Sequence, residues 1–241
     1  MKQRLDQLVV ARGLAPTRSQ AESWIRLGKV TVNDKAVTKA GFFADDTAEV
    51  KLLATEQYVS RAGLKLASVA KKFAIDFTGK TVLDVGSSTG GFTDYALQHG
   101  AARVYAVDVG TDQLHPSLRG DARIELHEKT DIRDFAPTTV PDIVVIDVSF
   151  ISLRQILPHV ASVSASKTLI YAMVKPQFEA SRQQITSSGV IKNDGVRRTI
   201  LKDFELWAKQ YFIVQDKADS EVKGARGNAE RFYQLRVISR P

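Results

Sequence analysis

The segment Thr81-Val-Leu-Asp-Val-Gly-Ser-Ser-Thr-Gly-Gly-Phe-Thr93 constrains this chain more than any other. A short apolar strand ends in an acid, a glycine-rich turn follows, and a helix begins. That order suits the carboxyl end of a parallel strand, where open α/β sheets hold their ligands. Gly86, Gly90 and Gly91 allow a sharp turn and a close ligand approach. Val104-Tyr-Ala-Val-Asp108 then repeats the strand-then-acid pattern, and a carboxylate there is placed to accept hydrogen bonds from a ribose diol. A tight turn without a ligand is the plain alternative, and the second acid counts against it.

Strand and helix patterns alternate from residue 60 onward. Ser60-Arg-Ala-Gly-Leu-Lys65-Leu opens a helix that reaches about Phe73. Strands are expected at 81–86, 104–109, 124–127, 142–147 and 168–174, with helices near 91–99 and 151–163. Asp194 is expected to cap a long helix to about Gln210, and 211–214 and 232–238 to close the sheet. Such alternation is the signature of a doubly wound α/β domain. Asp84, Asp108 and Asp147 fall at strand ends, and Lys175 stands at another. Lysine is rarely placed at the end of a buried strand for stability. Its structural alternative is a salt bridge to Asp147 or to a helix end. The loop 176–193 is long and polar, as substrate-contacting loops often are.

Composition narrows the chemistry. The chain has 241 residues, 44% hydrophobic and 25% charged, enough for one large domain and a small one. No cysteine is present, which excludes disulfides, thiolate metal sites and a cysteine nucleophile. His99, His115, His127 and His159 show no zinc spacing, so no metal is expected. The N-terminus lacks an apolar secretion core, and no window approaches the ~18 apolar residues of a membrane span. A cytoplasmic protein without membrane contact is expected.

The net charge of +7 is concentrated early: residues 1–41 hold eight Lys or Arg against three Asp or Glu. Helices are expected at 4–12, closed by Gly13, and from Thr17, where Thr17-Arg-Ser-Gln20 fits a capping box. Val30-Thr-Val32, Asn33-Asp34 and Ala36-Val37 read as a hairpin. A basic helix pair on so small a unit suits phosphate binding.

The order Arg-Leu-Asp-x-Leu-Val, Thr-Arg-Ser-x-Ala, Ile-x-x-Gly-x-Val-x-Val-Asn over residues 2–50 resembles the S-four-type RNA-binding domain. The resemblance implies binding to structured RNA, with Arg4, Arg18, Ser19, Arg26, Lys29 and Arg61 as candidate contacts. The glycine turn is similar to that of S-adenosylmethionine (SAM) methyltransferases. Lys65, Asp147 and Lys175, in that order, resemble the FtsJ-like ribose 2′-O-methyltransferases, which use a Lys-Asp-Lys-Glu tetrad. Together the motifs Ser60-Arg-Ala-Gly-x-Lys65-Leu, Asp84-Val-Gly-x-Ser-Thr-Gly-Gly-Phe-Thr-Asp94, Asp147-Val-Ser-Phe-Ile-Ser-Leu153, Val174-Lys-Pro-Gln-Phe-Glu179 and Lys223-Gly-x-x-Gly-Asn-x-Glu230 are similar to the TlyA (haemolysin A) family of rRNA 2′-O-methyltransferases.

That resemblance implies a Rossmann-like SAM methyltransferase domain at 63–241, a linker at 54–62 and a small α+β RNA-binding domain at 1–53. It implies SAM as cofactor and ribosomal RNA or a ribosomal subunit as partner. The implied catalytic residues are Lys65, Asp147, Lys175 and Glu230, with Lys175 activating the hydroxyl and Lys65 orienting the ribose or its phosphate. Glu221 competes for the last position, but the family spacing favours Glu230. The implied cofactor contacts are Asp84, Gly86, Ser87, Ser88, Gly90, Gly91, Phe92, Thr93, Asp108, Asp131 and Asp147. The family pattern has alanine where Ser87 stands and asparagine where Asp131 stands. Lys223, Arg226 and Arg231 are further candidates for RNA phosphates. Three competing readings are an RNA-binding protein with an inactive methyltransferase fold, a cytolysin, and a small-molecule methyltransferase.

Overall fold

The computed structural model describes residues 2–15, 17–26, 28–53, 58–181, 184–185, 189–191, 193–224 and 227–238, without the side chains of Ser19 and Ser23. The chain divides into two compact units, Met1–Arg61 and Ala62–Pro241.

In the first unit, strand β1 (Lys2–Arg4) leads into helix α1 (Leu5–Ala11), and helix α2 (Arg18–Arg26) follows. Strands β2 (Val30–Val32), β3 (Lys35–Ala36), β4 (Phe43–Asp45) and β5 (Val50–Leu52) complete it. Two small sheets form: β1 pairs antiparallel with β4, and β2 lies between β3 and β5. Leu5, Val9, Ala21, Ile25 and Val30 bury their side chains fully. The Gln20 amide donates to Thr17 Oγ1 at 3.2 Å, so Thr17 caps α2 as its sequence suggests. Asn33 and Asp34 take positive φ of 50° and 62°, the turn geometry that a two-residue hairpin needs. The apolar spacing places the start of α1 at residue 4, but Arg4 ends a strand. It gives no sign of β4 and β5, whose three-residue lengths carry almost no periodic signal.

The second unit is one seven-stranded sheet flanked by helices. Helix α3 (Arg61–Phe73) precedes β6 (Thr81–Val85), α4 (Gly91–Gln98), β7 (Arg103–Val107) and β8 (Ile124–His127). Then come β9 (Ile143–Ile146), α5 (Leu153–Ser162), β10 (Leu169–Val174) and the short α6 (Pro176–Glu179). Helix α7 (Asp194–Ala208) and strands β11 (Phe212–Asp219) and β12 (Arg231–Val237) close the fold. Spatial order is β11-β12-β10-β9-β6-β7-β8. Strand β12 runs antiparallel to both of its neighbours, and the other pairs are parallel.

From β6 the chain winds one way to β7 and β8. From β9 it winds the other way to β10 and beyond. The strand order therefore reverses between β6 and β9, and ligands of open α/β sheets bind outside the carboxyl ends at such a point. All four residues of β9 are buried, as expected of a strand covered on both faces. Tyr105, Val144, Ile170, Phe204 and Tyr233 belong to the core that holds these strand ends fixed.

One local expectation needs correction. Asn193, not Asp194, caps α7: its Oδ1 accepts from the Gly195 and Val196 amides at 2.8 and 3.2 Å. Helix α3 begins at Arg61, within one residue of the start expected at Ser60, and so includes the last two residues of the 54–62 span.

Candidate active site

The turn after β6 is built on two glycines that tolerate no side chain. Gly86 has φ 80°, and a Cβ there would sit 3.0 Å from the Asp147 carbonyl oxygen. Gly90 has φ 89°, and its Cβ would come within 2.7 Å of Leu114 and Leu118. With no Cβ at Gly86, the β6 turn can lie directly against the segment after β9. Ser88, also at positive φ, donates its amide to Asp108 Oδ2 at 2.8 Å, and the Gly110 amide donates to Oδ1 at 2.6 Å. These bonds fix the Asp108 carboxylate at the end of β7.

A cavity of about 370 Å³ opens at the carboxyl ends of β6, β7 and β9. Of the residues expected to meet a cofactor, Gly86, Ser88, Asp108, Asp131 and Asp147 line it. Asp84, Ser87, Gly90, Gly91, Phe92 and Thr93 do not. They are buried beneath the turn and in α4, where Phe92 packs against Phe232 at 6.0 Å. Asp84 Oδ2 accepts from Thr93 Oγ1 at 2.7 Å, while Oδ1 has no hydrogen-bond partner among the described residues. Burial pushes the Asp84 carboxyl up to about 7, against the Thr93 hydrogen bond and with help from Asp147 and Asp108. Asp131 accepts from the Arg133 amide, Nε and Nη2, and the guanidinium holds its carboxyl down at about 2. Its carboxylate is thus committed within its own turn.

Beside this cavity four charged side chains from distant parts of the chain meet. Asp147 follows β9, Lys175 follows β10, Lys65 comes from α3 and Glu230 precedes β12. Lys175 Nζ is 2.6 Å from Asp147 Oδ1, and Lys65 Nζ is 3.6 Å from Oδ2. Lys65 Nζ also lies 2.8 Å from Glu230 Oε2. Lys65, Lys175 and Glu230 are each less than 9% exposed. Burying two ammonium groups is costly, and two interleaved carboxylates offset that cost. Glu221, the rival for the fourth position, is exposed, and its amide donates to Ser68 Oγ.

Several residues at the site carry no sign of their role in the sequence alone. Ser149 lines the cavity and accepts from Lys175 Nζ at 2.7 Å, so it links the cavity to the tetrad. Phe150 is 89% exposed at φ 67°, beside Phe178 with ring centroids 5.2 Å apart. Gln113 lines the cavity and accepts from Ser88 Oγ. Glu179 accepts from Ser152 Oγ and the Leu153 amide, which ties α6 to the start of α5. Asn228 accepts from the Ile191 amide and donates to the Gly189 carbonyl, which anchors the turn leading to Glu230. Ser149 and Phe150 stand inside the Asp147-Val-Ser-Phe motif, Glu179 ends the Val174-Lys-Pro-Gln-Phe motif and Asn228 stands two residues before Glu230, and that adjacency is the available signal.

The basic candidates of the first unit divide. Asp6 is fully buried and takes hydrogen bonds from Arg4 at 2.8 and 3.0 Å and from Arg18 at 2.7 Å. Those two arginines hold the unit together through Asp6, whatever else they touch. Arg26 and Lys29 are exposed, and Arg61 is half-buried at the start of α3. The Ser19 side chain, Arg226 and residues 182–183, 186–188 and 192 of the 176–193 loop lie outside the described residues. Arg231 is paired with Asp219 at 2.6 Å. Lys223 is exposed.

Comparison with known proteins decides the family. The FtsJ-like methyltransferase family matches residues 58–237, and the S4 domain matches residues 3–50. The chain belongs to the FtsJ-like methyltransferase family. A 16S/23S rRNA (cytidine-2′-O)-methyltransferase of Mycobacterium tuberculosis, TlyA, is 37% identical over 97% of this chain and 90% of its own length. Hemolysin A of Brachyspira hyodysenteriae is 38% identical over 94% of this chain and 97% of its own length. The solved structure of a hemolysin-named protein from Streptococcus thermophilus superposes with a TM-score of 0.74 at 38% identity, covering 100% of this chain and 90% of that one. This FtsJ-like chain therefore carries an N-terminal S4 domain, and its catalytic sheet has the strand order described above. Among its described residues no cluster of potential metal ligands and no helix long and apolar enough to cross a membrane is found.

Proposed function

We propose that this FtsJ-like methyltransferase moves a methyl group from SAM to the ribose 2′-hydroxyl of a nucleotide in ribosomal RNA. The observation that carries this reading is the meeting of Lys65, Asp147, Lys175 and Glu230 beside the cavity at the strand-order reversal. Family membership and the S4 domain support it, as does the rRNA substrate named for the Mycobacterium tuberculosis relative.

The cavity suits SAM on structural grounds. Gly86 lines it, and with no Cβ there the glycine turn packs directly against Asp147, which brings the ends of β6 and β9 together at the cavity wall. Asp108 stands where a ribose diol needs an acceptor, with both its oxygens already oriented by backbone amides. Gly86, Ser88, Asp108 and the Asp131–Ile132 turn would hold the cofactor, and Asp147 is the tetrad member that also lines the cavity. Bound there, SAM would supply an electrophilic methyl group to the ribose oxygen, with its sulfur as the leaving group.

The chain's own residues handle the proton and the geometry. Lys175, in its neutral form, accepts the 2′-hydroxyl proton. Asp147 and Ser149 fix its Nζ at 2.6 and 2.7 Å, so the remaining position on nitrogen is set toward the substrate. Lys65, held by Glu230, orients the ribose or its adjoining phosphate. Positioning of the reacting oxygen in line with the methyl carries much of the rate. The basic N-terminal unit would hold folded rRNA through phosphates and shape, with Arg26 and Lys29 exposed for the purpose. The test is transfer of labelled methyl from SAM to purified ribosomal subunits, followed by mapping of the modified nucleotide.

A further inference from the structure

The geometry points to a second RNA-backbone site on the methyltransferase unit, a basic groove between α7 and the β11–β12 edge of the sheet. A cavity of about 250 Å³ lies there, bordered by Arg198, Lys202, Lys209, Lys217 and Arg231. The acid Glu205 also borders it, and it is already neutralised by Lys209 at 3.1 Å and Lys217 at 2.6 Å. Arg231 is held by Asp219 through Nε and Nη2. Arg198 and Lys202, one helical turn apart on α7, are exposed and have no carboxylate partner among the described residues. A groove with uncompensated cations spaced along its length suits a polyanion better than a neutral ligand.

Its position relates it to the reaction. Arg231 follows Glu230 directly and pairs across the sheet with Val174, the residue before Lys175. Successive strand residues point to opposite faces, so Glu230 turns toward Lys65 of α3 while Arg231 turns toward the α7 groove. The groove thus begins one residue from two members of the tetrad. An RNA strand whose target ribose sits at Lys175 reaches the groove by crossing the carboxyl end of β10 and the adjacent amino end of β12. Phosphate contacts of this kind fix register without reading sequence. Leu206, 56% exposed on the same helix face, gives the groove an apolar lip for a sugar or base edge.

This inference rests on the proposed action on RNA, and one experiment separates the two. The full chain and its Arg198→Gln/Lys202→Gln variant are compared for rRNA binding across a salt series, for SAM affinity and for methyl transfer. The expected result is a salt slope smaller by about two, roughly one for each lost phosphate contact, with KM for rRNA raised roughly ten-fold and SAM affinity held. The charge-conserving Arg198→Lys/Lys202→Arg variant is expected to behave as wild type. A wild-type chain that methylates rRNA, with slope and KM unchanged in the neutral variant, overturns the groove and leaves the proposed function standing. A wild-type chain that transfers no methyl, while the neutral variant still loses the salt-dependent binding, supports the groove and overturns the function. If polyglutamate binding falls with the substitutions while rRNA binding holds, the groove is a protein-docking surface and the inference is overturned.

Discussion

Lys65 Nζ lies 2.8 Å from Glu230 Oε2, a contact between the first helix of the methyltransferase unit and the turn before its last strand, 165 positions apart in the sequence. The pair is almost fully enclosed, so neither charge has water to turn to. Glu230→Gln keeps the shape and removes the charge. We expect kcat to fall by about 10²-fold with SAM affinity retained, measured by single-turnover methyl transfer and by calorimetry. Unchanged kcat would remove Glu230 from the mechanism.

Gly224 offers an indirect test of the same contact. A Cβ at this position would stand 2.5 Å from Glu230 Oε1. Gly224→Ala should therefore push the carboxylate away from Lys65 and lower kcat, without touching the SAM cavity. Gly224→Ala with full activity would mean that the placement of Glu230 does not matter.

Asp84 predicts a pH dependence of stability. Its folded-state pKa is about 7 against 3.8 for the free group. Between those values the folded protein binds a proton that the unfolded chain does not, so stability falls as pH rises from about 4 to 7 and then levels. A tenfold change in proton affinity is worth about 1.4 kcal/mol, so the full span approaches ~4 kcal/mol. Asp84→Asn keeps an oxygen for Thr93 and cannot ionise. Chemical denaturation at pH 5, 6, 7 and 8 should show a flatter profile in this variant, and identical slopes would contradict the assignment.

Asp6 predicts the opposite sign in the N-terminal unit. The hydrogen bond from Arg4, with that from Arg18, holds its carboxyl well below the usual carboxylate range. The unfolded chain then binds the extra proton, so the stabilisation is present above pH 4 and is lost as pH falls further. Asp6→Ala removes hydrogen bonds between charged groups and leaves two arginines to solvent, a loss of about 2 kcal/mol. Trp24 is buried in this unit, and a Trp207→Phe background makes it the sole tryptophan. Its fluorescence during urea unfolding should move to lower denaturant in Asp6→Ala at pH 7. An unmoved transition would show the cluster to be without structural weight.

The elements of the catalytic sheet are legible in the sequence because each strand is a short apolar run bounded by turn residues, and because Gly86 and Gly90 occupy positions that only glycine fits. The tetrad is legible only through the ordered motifs. Nothing local in Lys65 says that it will meet Glu230, since contacts of such separation depend on the whole sheet closing. Asp84 reads as a ligand for a cofactor because it ends an apolar run, yet β6 continues to Val85 and the carboxylate turns into the core toward Thr93. Arg4 and Arg18 are candidate RNA contacts through the family resemblance, and a sequence cannot show that Asp6 sits buried between them. Ser149 gives no signal of its own, since a single serine after a strand-end acid has many ordinary uses.

The central claim is that the Lys65–Asp147–Lys175–Glu230 cluster moves a methyl group to a ribose in rRNA. Its most direct test is incorporation of tritiated methyl from SAM into each purified ribosomal subunit, by the wild-type chain and by Lys175→Ala, with SAM affinity measured on both. Wild type is expected to leave one labelled 2′-O-methylated nucleotide at each target site, and Lys175→Ala to lose ~10²-fold or more of that label with equal SAM affinity. Labelling by Lys175→Ala at the wild-type rate, or label found on a base rather than a ribose, would contradict it.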